Sequence, residues 1–170
     1  MQWEDGEKLV DLSGFVTEPL AIIVACVPRG KRPQVARGYA AQLSPDSREM
    51  TLHVPYFYPA QLEEAGAERP AIAVVLSRVS DFETYQFKGD NLVFGAKCDA
   101  TEPRMDSYLQ GFRQAIVAVG MSNECADGLI YSSYISLTFS IRSAFRQTPG
   151  PGAGRELSLA VEPVLSRGNS

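Results

Sequence analysis

With 170 residues, 45% hydrophobic and 21% charged, the chain suits one domain that buries its own core without disulfide or metal staples. A net charge of −4 argues against a nucleic-acid partner, which calls for a basic patch, and no apolar run approaches the roughly 20 residues of a membrane helix. Three scattered cysteines with no Cys-x-x-Cys pair exclude a zinc knuckle and a disulfide framework, and with one histidine any catalytic triad must use His53.

The N-terminus, Met1-Gln2-Trp3-Glu4-Asp5, lacks the basic and apolar regions of a signal peptide, so the cytoplasm is the expected compartment. Residues 1–18 read as a polar lead-in arm with short apolar anchors at Leu9-Val10 and Phe15-Val16, with room for one short strand. Residues 20–27 are a continuous aliphatic run, the pattern of a strand buried on both faces, with Cys26 as a small core residue. A breaker-rich basic turn follows, Pro28-Arg29-Gly30-Lys31-Arg32-Pro33.

Residues 34–43 form the next predicted strand, with Val35, Arg37, Tyr39 and Ala41 on one face. Ser44-Pro45-Asp46-Ser47 turns the chain into a third strand over 49–54, where Thr51 and His53 point opposite to Met50, Leu52 and Val54. Pro59 and Gly66 bracket a short helix over 59–65. Residues 71–77 are an aliphatic strand leading into Phe82-Glu83-Thr84-Tyr85-Gln86-Phe87-Lys88-Gly89. There Thr84, Gln86 and Lys88 alternate with Tyr85 and Phe87, and Gly89 marks either a turn or a bulge in one long strand.

One substantial helix begins at Thr101, a candidate cap, with Pro103 in its first turn. Met105, Leu109, Phe112 and Ile116 form its apolar stripe and Gly120 ends it. Residues 128–146 carry the longest strand signal, long enough to bend and serve two parts of a barrel. From 147 the composition is that of a flexible Pro/Gly linker and tail, in which 157–161 either dock as an extra strand or stay mobile. The division is an arm over 1–18, a barrel domain over 19–146 and a tail over 147–170.

This element order, together with the segment Phe82 to Gly89, resembles the FMN-binding split-barrel superfamily of pyridoxamine 5′-phosphate oxidase-like proteins. Many members carry Thr-Val-Gln-Leu-Lys-Gly after an aromatic and a basic residue on the fifth strand, and the run before it here, 71–77, is similar to the strand that usually precedes it. The likeness spans residues 19–146, but its sharp part is about ten residues. It implies a mostly β fold with two helices: a six-stranded antiparallel split barrel that forms a homodimer, with two FMN sites between the subunits. It also implies roles at the cofactor for Arg37 and Tyr39 of the second strand, Thr51 and His53 of the third, and Gln86 and Lys88 of the fifth.

One departure is plain. Such proteins bind the phosphate through hydroxyl and basic side chains after the third strand, yet residues 54–62 contain no Ser, Thr, Lys or Arg. A phosphate dianion wants charge-assisted donors. Arg37, Arg29, Lys31 and Arg32 are the cations elsewhere available to supply them. The aromatic group Tyr56-Phe57-Tyr58 either fills a barrel end or stacks on a ring system. His53 has a plain reading as a hydrogen-bonded strand residue and a functional one beside a cofactor.

Three functions stay open: an FMN-dependent oxidoreductase of unknown substrate, a split barrel binding another ligand (a different flavin, a deazaflavin or haem), and a cofactor-free dimeric accessory protein. No Gly-x-Ser-x-Gly motif supports a hydrolase.

Overall fold

The computed structural model describes residues 3–5, 8–10, 12–27, 32–56 and 71–159. The helix expected over 59–65, the cations Arg29 and Lys31, the aromatic pair Phe57-Tyr58 and the chain after 159 lie outside these residues.

Six antiparallel strands close a barrel. They are β3 (Ala21–Val27), β4 (Gln34–Leu43), β5 (Glu49–Pro55), β6 (Ala71–Ser77), β7 (Thr84–Asp99) and β8 (Ser133–Arg146). Hydrogen-bonded neighbours run β8-β5-β4-β3-β6-β7, and β7 pairs with β8 to complete the ring. Period-two patterning explains the closure, since alternate residues point to opposite faces. Ile22, Val24, Met50, Leu52, Val54, Ile72, Val74, Leu76, Phe87, Leu137 and Phe139 are all buried in the barrel core. Burying each such side chain contributes about 1.5–3 kcal/mol.

Two glycines permit the tight wall. A Cβ on Gly38 would meet Ile22 Cγ2 at 2.6 Å, and one on Gly89 would meet the Ser140 carbonyl oxygen at 2.1 Å. Gly89 therefore marks a bulge rather than a turn: β7 continues to Asp99, and its register with β8 shifts between Lys88 and Gly89.

Outside the ring, β1 (Trp3–Asp5) pairs with β2 (Lys8–Val10) and with β9 (Glu156–Leu159), and β9 lies along β8 with Leu157 opposite Ala144. The lead-in thus holds two strands and then α1 (Leu12–Val16), whose Leu12, Phe15 and Val16 are buried. Arg78 pins this arm to the β6–β7 turn. Its guanidinium donates to Glu18 at 2.7 and 2.9 Å, to Asp81 at 3.0 Å and to Glu83, and it lies over the Phe15 ring.

The amphipathic helix is α2 (Pro103–Ala118), and its Met105, Leu109, Phe112 and Ile116 stripe is buried as expected, joined by Tyr108. Thr101 does not cap it; Glu102 occupies that position without a side-chain capping bond, and Pro103 opens the helix. A further helix, α3 (Asn123–Asp127), starts at Ser122, whose hydroxyl accepts from Cys125 N at 3.2 Å.

Burial of β3 on both faces does not hold. Its residues alternate, with Ile23 44% and Val27 48% exposed, because among the described residues nothing covers the outer face there.

Candidate functional site

The outer face of the barrel has a covered half and an open half, and the residues singled out in the sequence are divided between them. On the covered half, Tyr39, His53 and Ser136 stand opposite one another across β4, β5 and β8. Tyr39 is fully buried, donates to the Leu129 carbonyl at 2.6 Å, and meets Tyr108, Tyr131 and Tyr134 edge to face. It is part of the packing that seats α2 on the barrel. Just after Tyr39 the register with β5 shifts, and Ala40 adopts φ 44°, the left-handed region that a residue with a Cβ rarely adopts. This bulge ends the simple alternation of β4 and re-aims residues 40–42 toward the start of α2.

Two cavities flank the bulge. The larger, about 410 Å³, is lined by Pro19, Ala40, Ala41, Tyr108 and Gly111, with Thr17, Ser107 and Arg104 at its polar side. The smaller, about 270 Å³, is lined by Thr51, His53, Gln42, Cys98, Glu102 and Met105, and again by Ala40 and Arg104. Arg104 therefore stands between them. Its guanidinium donates to the Ala41 carbonyl at 3.1 Å and to Gln42 Oε1, and it has no carboxylate partner among the described residues. Burial lowers its pKa from the ordinary value.

His53 faces the smaller cavity, with only a long contact of 3.4 Å between Nδ1 and the Ala40 carbonyl. Burial lowers its pKa, opposed by the Ala40 carbonyl; the Arg104 charge lowers it further and Glu102 raises it. The imidazole is accordingly neutral at pH 7. Thr51 pairs with Thr138, hydroxyl to hydroxyl, at 2.9 Å. Burial, then the carboxylates of Glu102 and Asp99, raise the Cys98 pKa, so its sulfur is a thiol and not a nucleophilic thiolate. The arrangement can receive an anionic or polar edge beside Arg104 and a flat apolar body beside Tyr108 and Pro19.

The open half spans β4, β3, β6 and β7. Arg37, Ile23, Val75 and Gln86 form one row of paired residues across it, and Val35, Ala25, Ala73 and Lys88 form the next. Arg37 and Gln86 stand three strands apart, roughly 14 Å. Between them the floor is apolar, with Val35 60% exposed beside Ile23 and Val27. Arg37 lies over the Phe112 ring at 4.4 Å, and its buried Nε and Nη2 have no hydrogen-bond partner among the described residues. Lys88 sits 4.7 Å over the Phe145 ring, and the Gln86 amide oxygen accepts from Gln147 at 3.4 Å.

Within one chain, then, Thr51 and His53 share a cavity, Arg37, Gln86 and Lys88 border the open face, and Tyr39 is packing. Sequence reasoning missed Arg104 and Cys98. Arg104 is one polar position at the start of an amphipathic helix, and only its tertiary bonds to Ala41 and Gln42 bring it to the bulge. Cys98 lay beyond the alternating segment, where register shifts obscure which way it points.

No protein-family model matches the chain, and no curated protein matches its sequence. Solved structures do. HupZ from Group A Streptococcus is 13% identical, with 86% of this chain and 100% of that chain covered at a TM-score of 0.51. The chain has the split-barrel fold. A putative pyridoxamine 5′-phosphate oxidase from Lactobacillus delbrueckii follows at 12% identity, coverage of 85% and 99%, and a TM-score of 0.46. A pyridoxinephosphate oxidase-family protein from Clostridium acetobutylicum, related to general stress protein 26, follows at 12% identity, coverage of 75% and 80%, and 0.40. The closed six-stranded ring and the HupZ likeness speak for fold and not for ligand.

Proposed function

We propose that this split barrel binds FMN and works as a homodimeric, FMN-dependent oxidoreductase. The observation that carries the reading is Arg104, a guanidinium without a carboxylate partner among the described residues, standing between an apolar cavity and a polar one. Ligand sites of this kind combine an apolar lining with a few convergent polar groups. Arg104 supplies the cation that residues 54–62 lack, and Thr51 and Ser107 supply hydroxyls on its two sides. Tyr108, Pro19 and the Ala40-Ala41 bulge offer an apolar bed for a ring system. Neutral His53 can donate or accept one hydrogen bond at a polar edge without adding charge.

A bound flavin would supply the redox chemistry, while the protein binds and orients it. The open apolar face is where the second copy is proposed to sit, which puts Arg37, Gln86 and Lys88 in the interface.

A second reading is favoured by Arg37. It stacks on Phe112 and lines neither cavity, so the phosphate would have one arginine where the resemblance implies more than the third-strand donors alone. That reading is a split barrel holding another planar ligand: a different flavin, a deazaflavin or haem.

The test is the visible absorption spectrum of the purified protein, before and after addition of FMN and passage through gel filtration. Flavin absorbance eluting with the protein supports the FMN reading. A colourless folded protein that leaves all added FMN in the small-molecule volume overturns it.

A further inference from the structure

A third cavity, about 520 Å³, lies away from the Arg104 site at the other end of β5, and the flavin reading does not use it. It opens where β8 changes partner. β5 pairs with β8 as far as Glu49 opposite Ser140, Ile141 N still donates to the Arg48 carbonyl at 2.7 Å, and β9 takes over at Leu157 opposite Ala144. Its walls are Asp46, Ser47, Arg48 and Glu49 on one side and Ser140, Ile141, Arg142 and Leu157 on the other.

Several of these groups are already committed. Asp46 accepts from Ser44 Oγ at 2.6 Å and from Arg48 N at 3.2 Å, which holds the turn. Arg142 donates to Asp90 at 2.8 Å. Three groups are not committed among the described residues. The Arg48 guanidinium forms no ion pair within 4 Å, its charge acting on Asp46 only from farther off, and the Glu49 carboxylate has no basic partner. Ser47, only 1% exposed, has a buried hydroxyl with no hydrogen-bond partner. A buried hydroxyl left unpaired is costly, so its retention in a cavity wall points to an acceptor that arrives from outside.

Arg48 lies in the turn before β5 and Glu49 is the first residue of β5, so the cavity wall carries both a cation and an anion. Ile141 and Leu157 add an apolar part to the wall. An anion alone would leave Glu49 opposed to it, and a cation alone would leave Arg48 opposed.

We propose that this split between β5 and β9 binds a small zwitterion of the free α-amino acid class, with its carboxylate on Arg48 and the Ser47 hydroxyl, its ammonium on Glu49, and an aliphatic side chain on Ile141 and Leu157.

The test is isothermal titration of the full chain with three probes of one shape: leucine, leucinamide, which lacks the carboxylate, and 4-methylpentanoate, which lacks the ammonium. Leucine binds the wild type, and the two singly charged probes bind at least tenfold more weakly. Arg48→Gln and Glu49→Gln each weaken leucine binding at least tenfold, with the unliganded melting temperature unchanged. Ser47→Gly, which tolerates the φ of 55° at that position, weakens it as well. No heat with leucine overturns the proposal. Binding of 4-methylpentanoate as tight as leucine also overturns it, since that marks a simple anion site.

Discussion

His53 illustrates how a single residue's surroundings set a measurable pH dependence. Its pKa in the folded chain is below its ordinary value of about 6.5, because burial disfavours the charged imidazole. The unfolded chain therefore takes up a proton at a higher pH than the folded one. Stability from this residue is full above pH 6.5, falls as the pH drops below it, and levels off beneath the folded value. A His53→Gln variant is expected to lose less stability than the wild type between pH 7 and pH 5, read from urea midpoints; equal losses would contradict the assignment. Gly89 makes a second residue-scale case. Its role as a breaker was legible, but the choice between turn and bulge depends on how near β8 comes, which no local pattern records. Gly89→Ala places a Cβ 2.1 Å from a main-chain oxygen, and is expected to cost about 1–3 kcal/mol in denaturant unfolding.

Among the elements, the strands and the stripe of α2 were readable because their periods, 2 and 3.6, are enforced by burial on one side. β4 and β6 carry the bounds expected for them. What failed is instructive. Thr101 offers the chemistry of a cap, but Pro103 fixes the helix start so that Glu102 takes the capping position. The bulge at Ala40 carries no Gly or Asn to announce it, and that bulge builds both cavities beside Arg104. Half of the candidate site was thus legible, Thr51 and His53 by strand face, while Arg104 needed the tertiary crossing of α2. The seat of α2 depends on Phe112, which is 1% exposed, stacks on Tyr108 at 6.1 Å and carries Arg37 on its face. Phe112→Ala is expected to destabilise the protein by about 3–5 kcal/mol. Thermal or urea unfolding checks this, and a loss below about 1 kcal/mol would show that α2 is held by other contacts.

For the molecule as a whole, the barrel closes its own core, yet it leaves an apolar four-strand face on which Ile23, Val27 and Val35 are exposed. Contiguous exposed apolar surface of this kind is what a second copy would cover in the proposed dimer. Because these side chains point away from the core, Val35→Asp is expected to convert a dimer to a monomer in sedimentation while leaving the far-UV spectrum unchanged. A wild type that is already monomeric would contradict the proposed assembly. The proposed role of Arg104, to take the anionic group of a flavin, is open to titration of FMN fluorescence with wild-type protein and with Arg104→Ala. Saturable quenching is expected with the wild type and at least tenfold weaker binding with the variant, a loss of about 1.4 kcal/mol or more. Equal binding by the two proteins, or no change in fluorescence with either, would contradict it.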